Sequence, residues 1–265
     1  MTDHLLVTKE DGIATMTMNR PEVRNALSID MRMAMFDAVD DIEHDPSVRC
    51  VVLRGAGGHF MAGGDIKNFN EYLEMDGLER QKAFERRVHG LHPMMMSLRR
   101  MEKPVIASVQ GAAAGAGMSF MMACDLAIAA DDAIFKFSYV GIGASPDGSG
   151  TYQMPRIVGT RKALELAMLG DIIDVHEAKE YGLVNWVVPA ADIEAETAKL
   201  ARRLADGPTV ALGNIKRMMY ASHANSFEAQ LSMEAESFGR CAATDDWAEG
   251  VTAFLEKRKP EFKGK

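Results

Sequence analysis

An α/β fold follows from three observations on this chain. Short apolar strands alternate with helical stretches, the connections between them are brief, and glycine-rich loops follow two of the buried strands. The opening reads as a hairpin, with "LLVTK" and "IATMTMN" as strands and "EDG" as the turn. Ser28 starts a helix that runs to about His44, with Ile29, Met33, Phe36 and Ile42 expected along one side, and Asp45-Pro46 stop it. "VRCVVLRG" is a strand buried on both faces, and "GAGGHFMAGGD" is too rich in glycine for a regular element. One long helical region is expected over 78–101, and "KPVIASVQG" returns as a buried strand. "GAAAGAG" reads as a loop leading into the helix "MSFMMACD", and the strands "LAIAA" and "AIFKFS" come next. From about Thr151 the chain is mainly helical, "NWVV" excepted, and 190–258 holds three or four amphipathic helices marked off by "DGP" and "HANS". The expected division is a core over 1–190 and a C-terminal helical region over 191–265.

The chain has 265 residues, enough for one large core, and 47% hydrophobic against 26% charged residues suits a soluble globular protein. It has no apolar run of roughly 18 residues and no basic-then-apolar leader, so a cytoplasmic protein with no membrane partner is expected. A net charge of −8 argues against a general nucleic-acid surface. The tail "EKRKPEFKGK" runs the other way, as a solvated end or a partner for phosphates. Cys50, Cys124 and Cys241 lie in apolar segments without metal-ligand spacing, which fits buried thiols and no metal.

Two loops carry the chemistry. "HFMAGGDIK" and "GAAAGAG" each follow a buried strand, where ligands bind in open α/β sheets and where a helix N-terminus offers unpaired N–H groups. Two such groups converging on one oxygen form an oxyanion hole. The competing reading is that small residues only let a helix pack tightly on a strand. A dinucleotide site is disfavoured, because the glycine spacing does not match G-x-G-x-x-G.

Five segments, "NRPEVRNALS" (19–28), "HFMAGGDIK" (59–67), "KPVIASVQGAAAGAG" (103–117), "PRIVGTRKALELAMLGDIIDVHEAKEYGLVNWVV" (155–188) and "EGVTAFLEKRKPEF" (249–262), resemble the enoyl-CoA hydratase/isomerase, or crotonase, superfamily in order and spacing. The resemblance implies a crotonase-like ββα spiral with a C-terminal helical region, assembled as a homotrimer or a dimer of trimers. It implies an acyl-CoA substrate, with no cofactor beyond the coenzyme A carried in the thioester. By position the two oxyanion N–H groups fall to Ala62 and Ala116. The coenzyme is expected along Ala62, Gly63, Gly64, Asp65, Ile66 and Lys67, near Val23 and Arg24, with Phe262 and Lys263 reaching its nucleotide end from a neighbouring subunit.

A hydratase of this family uses two glutamates. One matches Ser119 here and the other matches Phe137 or Tyr139, so neither acid is present. Asp147, in "SPDGSGT", falls where relatives resembling phenylacetate-pathway ring isomerases and dienoyl-CoA isomerases carry an aspartate facing the acyl group. One carboxylate suffices for a 1,3-proton shift, and an apolar wall from Phe137, Tyr139, Met118 and Met121 would raise its basicity. As a residue alone, Asp147 in "PDG" also reads as an ordinary turn. His92 offers an alternative. Aryl-CoA dehalogenases of the superfamily resemble this chain in having a histidine in that region, which would serve as base beside a nucleophilic Asp147. Other reactions on the scaffold, and a CoA-ester binding protein without catalysis, complete the set.

Overall fold

The computed structural model describes residues 3–265. Strands β1 (Leu5–Glu10) and β2 (Ile13–Met18) form the expected antiparallel hairpin around Asp11 and Gly12. Helix α1 (Ile29–His44) begins at Ser28, whose Oγ accepts the Met31 N–H at 3.0 Å, one of the N–H groups that a helix start leaves over. Its buried side is Met31, Met35, Val39 and Ile42, whereas Ile29, Met33 and Phe36 are exposed. That corrects the expected face: methionines two apart occur on both sides of this helix, so apolar spacing alone does not choose between them.

β3 (Cys50–Gly55) alternates between two cores. Val51 and Leu53 join the main one, while Cys50 and Val52 join a smaller one on the opposite face. The expected continuous helix over 78–101 is two helices, α2 (Gly77–His89) and α3 (His92–Arg100). Gly90 caps the first, and Pro93 sits in the opening turn of the second, where its missing N–H costs nothing. β4 (Val105–Val109) follows, and the expected loop "GAAAGAG" contains a short strand, β5 (Ala112–Ala114). Next come α4 (Ala116–Ala123), β6 (Leu126–Ala130), β7 (Ile134–Lys136), α5 (Gly150–Val158) and α6 (Thr160–Leu169). β8 (Ile172–Asp174) is a second strand that the sequence reading missed. The chain continues through α7 (Val175–Glu180) and β9 (Trp186–Val188). It closes with α8 (Ile193–Ala205), α9 (Thr209–Ala221), α10 (Phe227–Ala242) and α11 (Asp245–Leu255).

The strands form two sheets, β1-β2-β3-β4-β6-β9 and β5-β7-β8. Beyond the hairpin every neighbour in the large sheet is parallel. Each turn of the chain lays one strand in the large sheet and the next residues against the small one: β4 then β5, β6 then β7. β3 is likewise followed by Met61, which bridges Ala113, and Gly64, which bridges Leu27. This repeat is the ββα spiral. Helix α8 covers one face of the large sheet through Ile193, Ala201 and Ala205, and Ser108 in β4 meets Thr197 of α8 at 2.8 Å. The small sheet, α3 and α4 close the other face. The loops that leave the large sheet toward the small one therefore collect along a single edge, and the candidate site lies there. Among the described residues, no helix is long and apolar enough to cross a membrane.

Candidate active site

A cleft of about 640 Å³ opens at that edge, bounded by the loop after β3, the start of α4, the segment 138–147 and helix α2. The first loop is held from beneath. Asn25 is fully buried; its amide donates to the carbonyls of Ala56 and His59, and its Oδ1 accepts the Arg20 N–H. Arg20 in turn donates to Asp65 Oδ2 at 2.8 Å, and Asp65 Oδ1 caps the short helix 66–72 by accepting the Lys67 N–H. Asp65 is thus a buried structural carboxylate. Gly63 takes φ of +105°, a backbone that side chains oppose, and a Cβ there would stand 3.2 Å from the Ala114 carbonyl of the neighbouring loop. On the other side, a Cβ on Gly117 would lie 2.2 Å from the Met61 carbonyl, so α4 approaches this loop as closely as only glycine permits.

This backbone decides which N–H groups are available. Ala62 donates its N–H to the Arg24 carbonyl at 2.9 Å, which corrects its expected oxyanion role: the hydrogen is already committed. In the parallel bridge to Leu27, the Gly63 carbonyl and the Asp65 N–H are used, leaving the Gly64 N–H on the opposite side of the strand. Ala116 is the first residue of α4, where no intrahelical acceptor exists. Among the described residues neither the Gly64 nor the Ala116 N–H has a hydrogen-bond acceptor, and both residues line the cleft. The available pair is Gly64 and Ala116.

One carboxylate enters the same cleft. Asp147 Oδ1 accepts a hydrogen bond from the Tyr139 hydroxyl at 2.8 Å, and Ser119 Oγ lies 3.0 Å from that hydroxyl. Ser119 Oγ also donates to Asp147's own backbone carbonyl at 2.9 Å. Burial and the Asp147 charge together push the Tyr139 hydroxyl well above the usual phenol range, so it stays a neutral donor. Asp147 Oδ2 has no hydrogen-bond partner among the described residues. Ser119 itself is fully buried beneath the turn, where a Cβ on Gly150 would stand 2.7 Å from its hydroxyl oxygen. The turn occupies the space a longer acid at 119 would need.

Several expected contacts fall elsewhere. His92 is exposed at the start of α3 with its ring edge-on to His89, 4.9 Å between centroids, and it does not line the cleft. Phe137 is buried beneath Tyr139, edge to face at 5.1 Å, and supports that ring rather than facing the cleft. Met118 and Met121 are core residues, so the apolar wall comes instead from Ile66, Phe69, Phe84, Val88, Leu91 and Ile142. Val23, Arg24 and Lys67 lie outside the cleft lining. Phe262 rests against Gly250 and gives its carbonyl to Arg49, and Lys263 donates its N–H to Asp246. Within one chain these two do not reach the cleft. Sequence reasoning missed Arg32 and Arg87, both of which line it. The faint signal for Arg32 was its place in "DMRMAM", a charge set among apolar helix positions. Among the described residues no group of three or more His, Cys, Asp or Glu could hold a metal ion.

A family model described as enoyl-CoA hydratase/isomerase matches residues 8–265. The chain is 36% identical to 1,2-epoxyphenylacetyl-CoA isomerase of Escherichia coli (strain K12), covering all of both chains. It is 37% identical to crotonyl-CoA hydratase of Syntrophomonas wolfei, covering 98% of each. Among solved structures, an enoyl-CoA hydratase from Polaromonas sp. JS666 superimposes with a TM-score of 0.91 at 35% identity, over 98% of this chain and 99% of that one.

Proposed function

Taking as given that the chain belongs to the enoyl-CoA hydratase/isomerase family, and so to the crotonase-fold enzymes of CoA esters, we propose that it is an isomerase. It moves a proton along a CoA thioester through an enolate, with Asp147 as the single base. The observation that carries this reading is the count of acids: one carboxylate with one unengaged oxygen faces the cleft, and Ser119 lies sealed where a second would stand.

The thioester oxygen accepts the Gly64 and Ala116 N–H groups. Asp147 Oδ2 removes a proton made acidic by the thioester, and the electron pair moves to that oxygen as an enolate. The two N–H groups stabilise the charge where it develops; losing one such donor costs about 100- to 1000-fold in rate. The protonated Asp147 then returns its hydrogen at the far end of the delocalised anion. Tyr139 holds Oδ1 throughout, fixing the carboxylate so that Oδ2 alone swings between the two carbons. Hydration would need a second group to activate water, and among the described residues no other acid lines the cleft. The dehalogenase alternative loses its base, because His92 is exposed on the outside of α3. No cofactor beyond the substrate's own coenzyme A enters these steps, and a cytoplasmic location suits them.

The reading includes self-association into a trimer or a dimer of trimers. Phe227, Phe238, Phe254 and Leu255 on α10 and α11 are large apolar side chains exposed in the single chain, Phe238 at 68% and Phe254 at 83%. Apolar surface of that kind marks an interaction face. A partner there is also the source from which Phe262 and Lys263 would reach a neighbouring site.

The test is turnover of acyl-CoA esters in water enriched in both deuterium and heavy oxygen, read by mass spectrometry of the product. The expected product carries no solvent oxygen, and its deuterium content reports how far the hydrogen held on Asp147 exchanges with solvent before it is returned. Incorporation of heavy oxygen into the acyl group would make the reaction a hydration, hydrolysis or dehalogenation, and the single-base isomerase reading would fall.

A further inference from the structure

Two arginines line the acyl cleft, and among the described residues neither joins an ion pair. Arg32 lies one turn into α1 and Arg87 near the end of α2, and both border the cavity that holds Asp147. Arg32 donates one hydrogen bond, from Nη1 to the Arg87 carbonyl at 2.9 Å. A structural role accounts for that bond: it satisfies a terminal carbonyl of α2. It accounts for nothing else on the guanidinium. Nε and Nη2 have no hydrogen-bond partner among the described residues, and neither is sealed from solvent. Arg87 lies over the Phe69 ring at 5.1 Å, and among the described residues its guanidinium donates no hydrogen bond and joins no ion pair.

The two cations also line one cavity, close enough for their charges to interact. Burial and the neighbouring Arg87 charge lower the pKa of Arg32, with no carboxylate nearby to offset them. Partly buried guanidinium groups that repel one another are costly unless an anion joins them. Among the described residues Asp147 is the one acid in the lining, and it makes no ion pair with either arginine. The same cleft has an apolar and aromatic wall: Phe69 and Phe84 pack edge to face at 5.0 Å, and Val88 and Leu91 also line it.

We propose that Arg32 and Arg87 form a receptor for a carboxylate at the far end of the acyl group, so that the substrates are thioesters of dicarboxylic acids with an apolar or aromatic middle. A bidentate carboxylate would use the free Nε and Nη2 of Arg32 and bring Arg87 off its ring to share the charge. The proposal rests on the cleft being a CoA-thioester site, and its test is built to fail separately from that reading.

The measurement is calorimetric binding, which needs no turnover. Octanoyl-CoA is compared with the ester of the same length that ends in a carboxylate instead of a methyl group, each against wild type, Arg32→Met, Arg87→Met and Arg32→Lys. A charge-assisted hydrogen bond in a partly dry site predicts about 10-fold or greater preference for the carboxylate ester in wild type. Either methionine variant should bring the ratio of the two affinities close to one, and Arg32→Lys should retain part of it. Free coenzyme A, titrated alongside, reports folding and contacts to the nucleotide. A wild-type ratio near one overturns the carboxylate receptor. So does a loss in the variants that is shared equally by both esters and by free coenzyme A, because the guanidinium groups would then serve the coenzyme's phosphates. Failure of octanoyl-CoA itself to bind would instead remove the thioester site.

Discussion

Asp125 and Asp147 each accept a hydrogen bond from a tyrosine hydroxyl, at 2.9 Å from Tyr220 and 2.8 Å from Tyr139. Their remaining valences differ. Asp125 Oδ2 accepts both the Val105 N–H and the Lys216 ammonium, each at 2.8 Å, and Lys216 continues to the Leu98 carbonyl at 2.7 Å. That network, nearly closed to solvent, fastens α9 to the spiral and leaves the carboxylate nothing further to do. Asp147 has one oxygen held and one unengaged, at the wall of a cleft with two unpaired N–H groups. A buried aspartate with a tyrosine partner is therefore not in itself a sign of chemistry. What marks Asp147 is the acceptor left over and the cavity it faces.

Neutralising each aspartate separates the two roles most sharply. Asp147→Asn should lower turnover by about 10²- to 10⁴-fold, with a melting temperature close to wild type. Asp125→Asn should do the reverse, since it strands the Lys216 ammonium. Breaking a buried pair costs ~3–5 kcal/mol, a drop in melting temperature on the order of 10 °C, while turnover per folded molecule is largely kept. Calorimetry and initial rates on both proteins decide it. Equal losses in either measurement would break the distinction.

A middle-sized effect is expected from restoring an acid at 119. Ser119→Glu forces a longer side chain against Gly148 and Gly150, whose added Cβ atoms would already stand 3.1 Å and 2.7 Å from Ser119 atoms. Overpacking of that kind costs ~1–3 kcal/mol, and no hydration of an enoyl-CoA should appear. Hydration gained without loss of stability would mean that the turn over Ser119 yields easily.

The smallest effect concerns the two tyrosines. Burial, reinforced by the neighbouring aspartate, raises the pKa of both Tyr139 and Tyr220. Above pH ~10 the unfolded chain loses these protons while the folded chain keeps them, so the unfolded state binds fewer protons and stability falls as pH rises. Tyr139→Phe and Tyr220→Phe should each flatten part of that slope in denaturant titrations between about pH 10 and 11.5. Only Tyr139→Phe should also reduce turnover, by about 10-fold, equivalent to one lost hydrogen bond to a charged group.

The sequence carried most of the fold where local chemistry is unambiguous. The hairpin follows from "EDG", the start of α1 from Ser28, and the breaks between the C-terminal helices from "DGP" and "HANS". It misled where several residues satisfy one pattern. Methionine on both sides of α1 hid the buried face, and the alanines of "GAAAGAG" disguised β5 as loop, because a small side chain marks neither face of a strand. That Ala116 and Asp147 border one cleft was legible from motif position. The exchange of Ala62 for Gly64 was not, since it turns on which N–H the Arg24 carbonyl takes, a fact of three-dimensional backbone direction. His92 and Phe137 failed for a similar reason: a residue can occupy the right segment and face the wrong way.

The crowding above Ser119 also bears on how such a site changes over generations. A glutamate arriving alone at 119 collides with a tight turn, and a looser turn arriving alone strips the hydroxyl props from beneath Asp147. On the crowding at Gly148 and Gly150, either first step is expected to cost the protein something. Passage between a one-acid and a two-acid cleft on this scaffold is therefore a valley crossing in which both segments must be rewritten together.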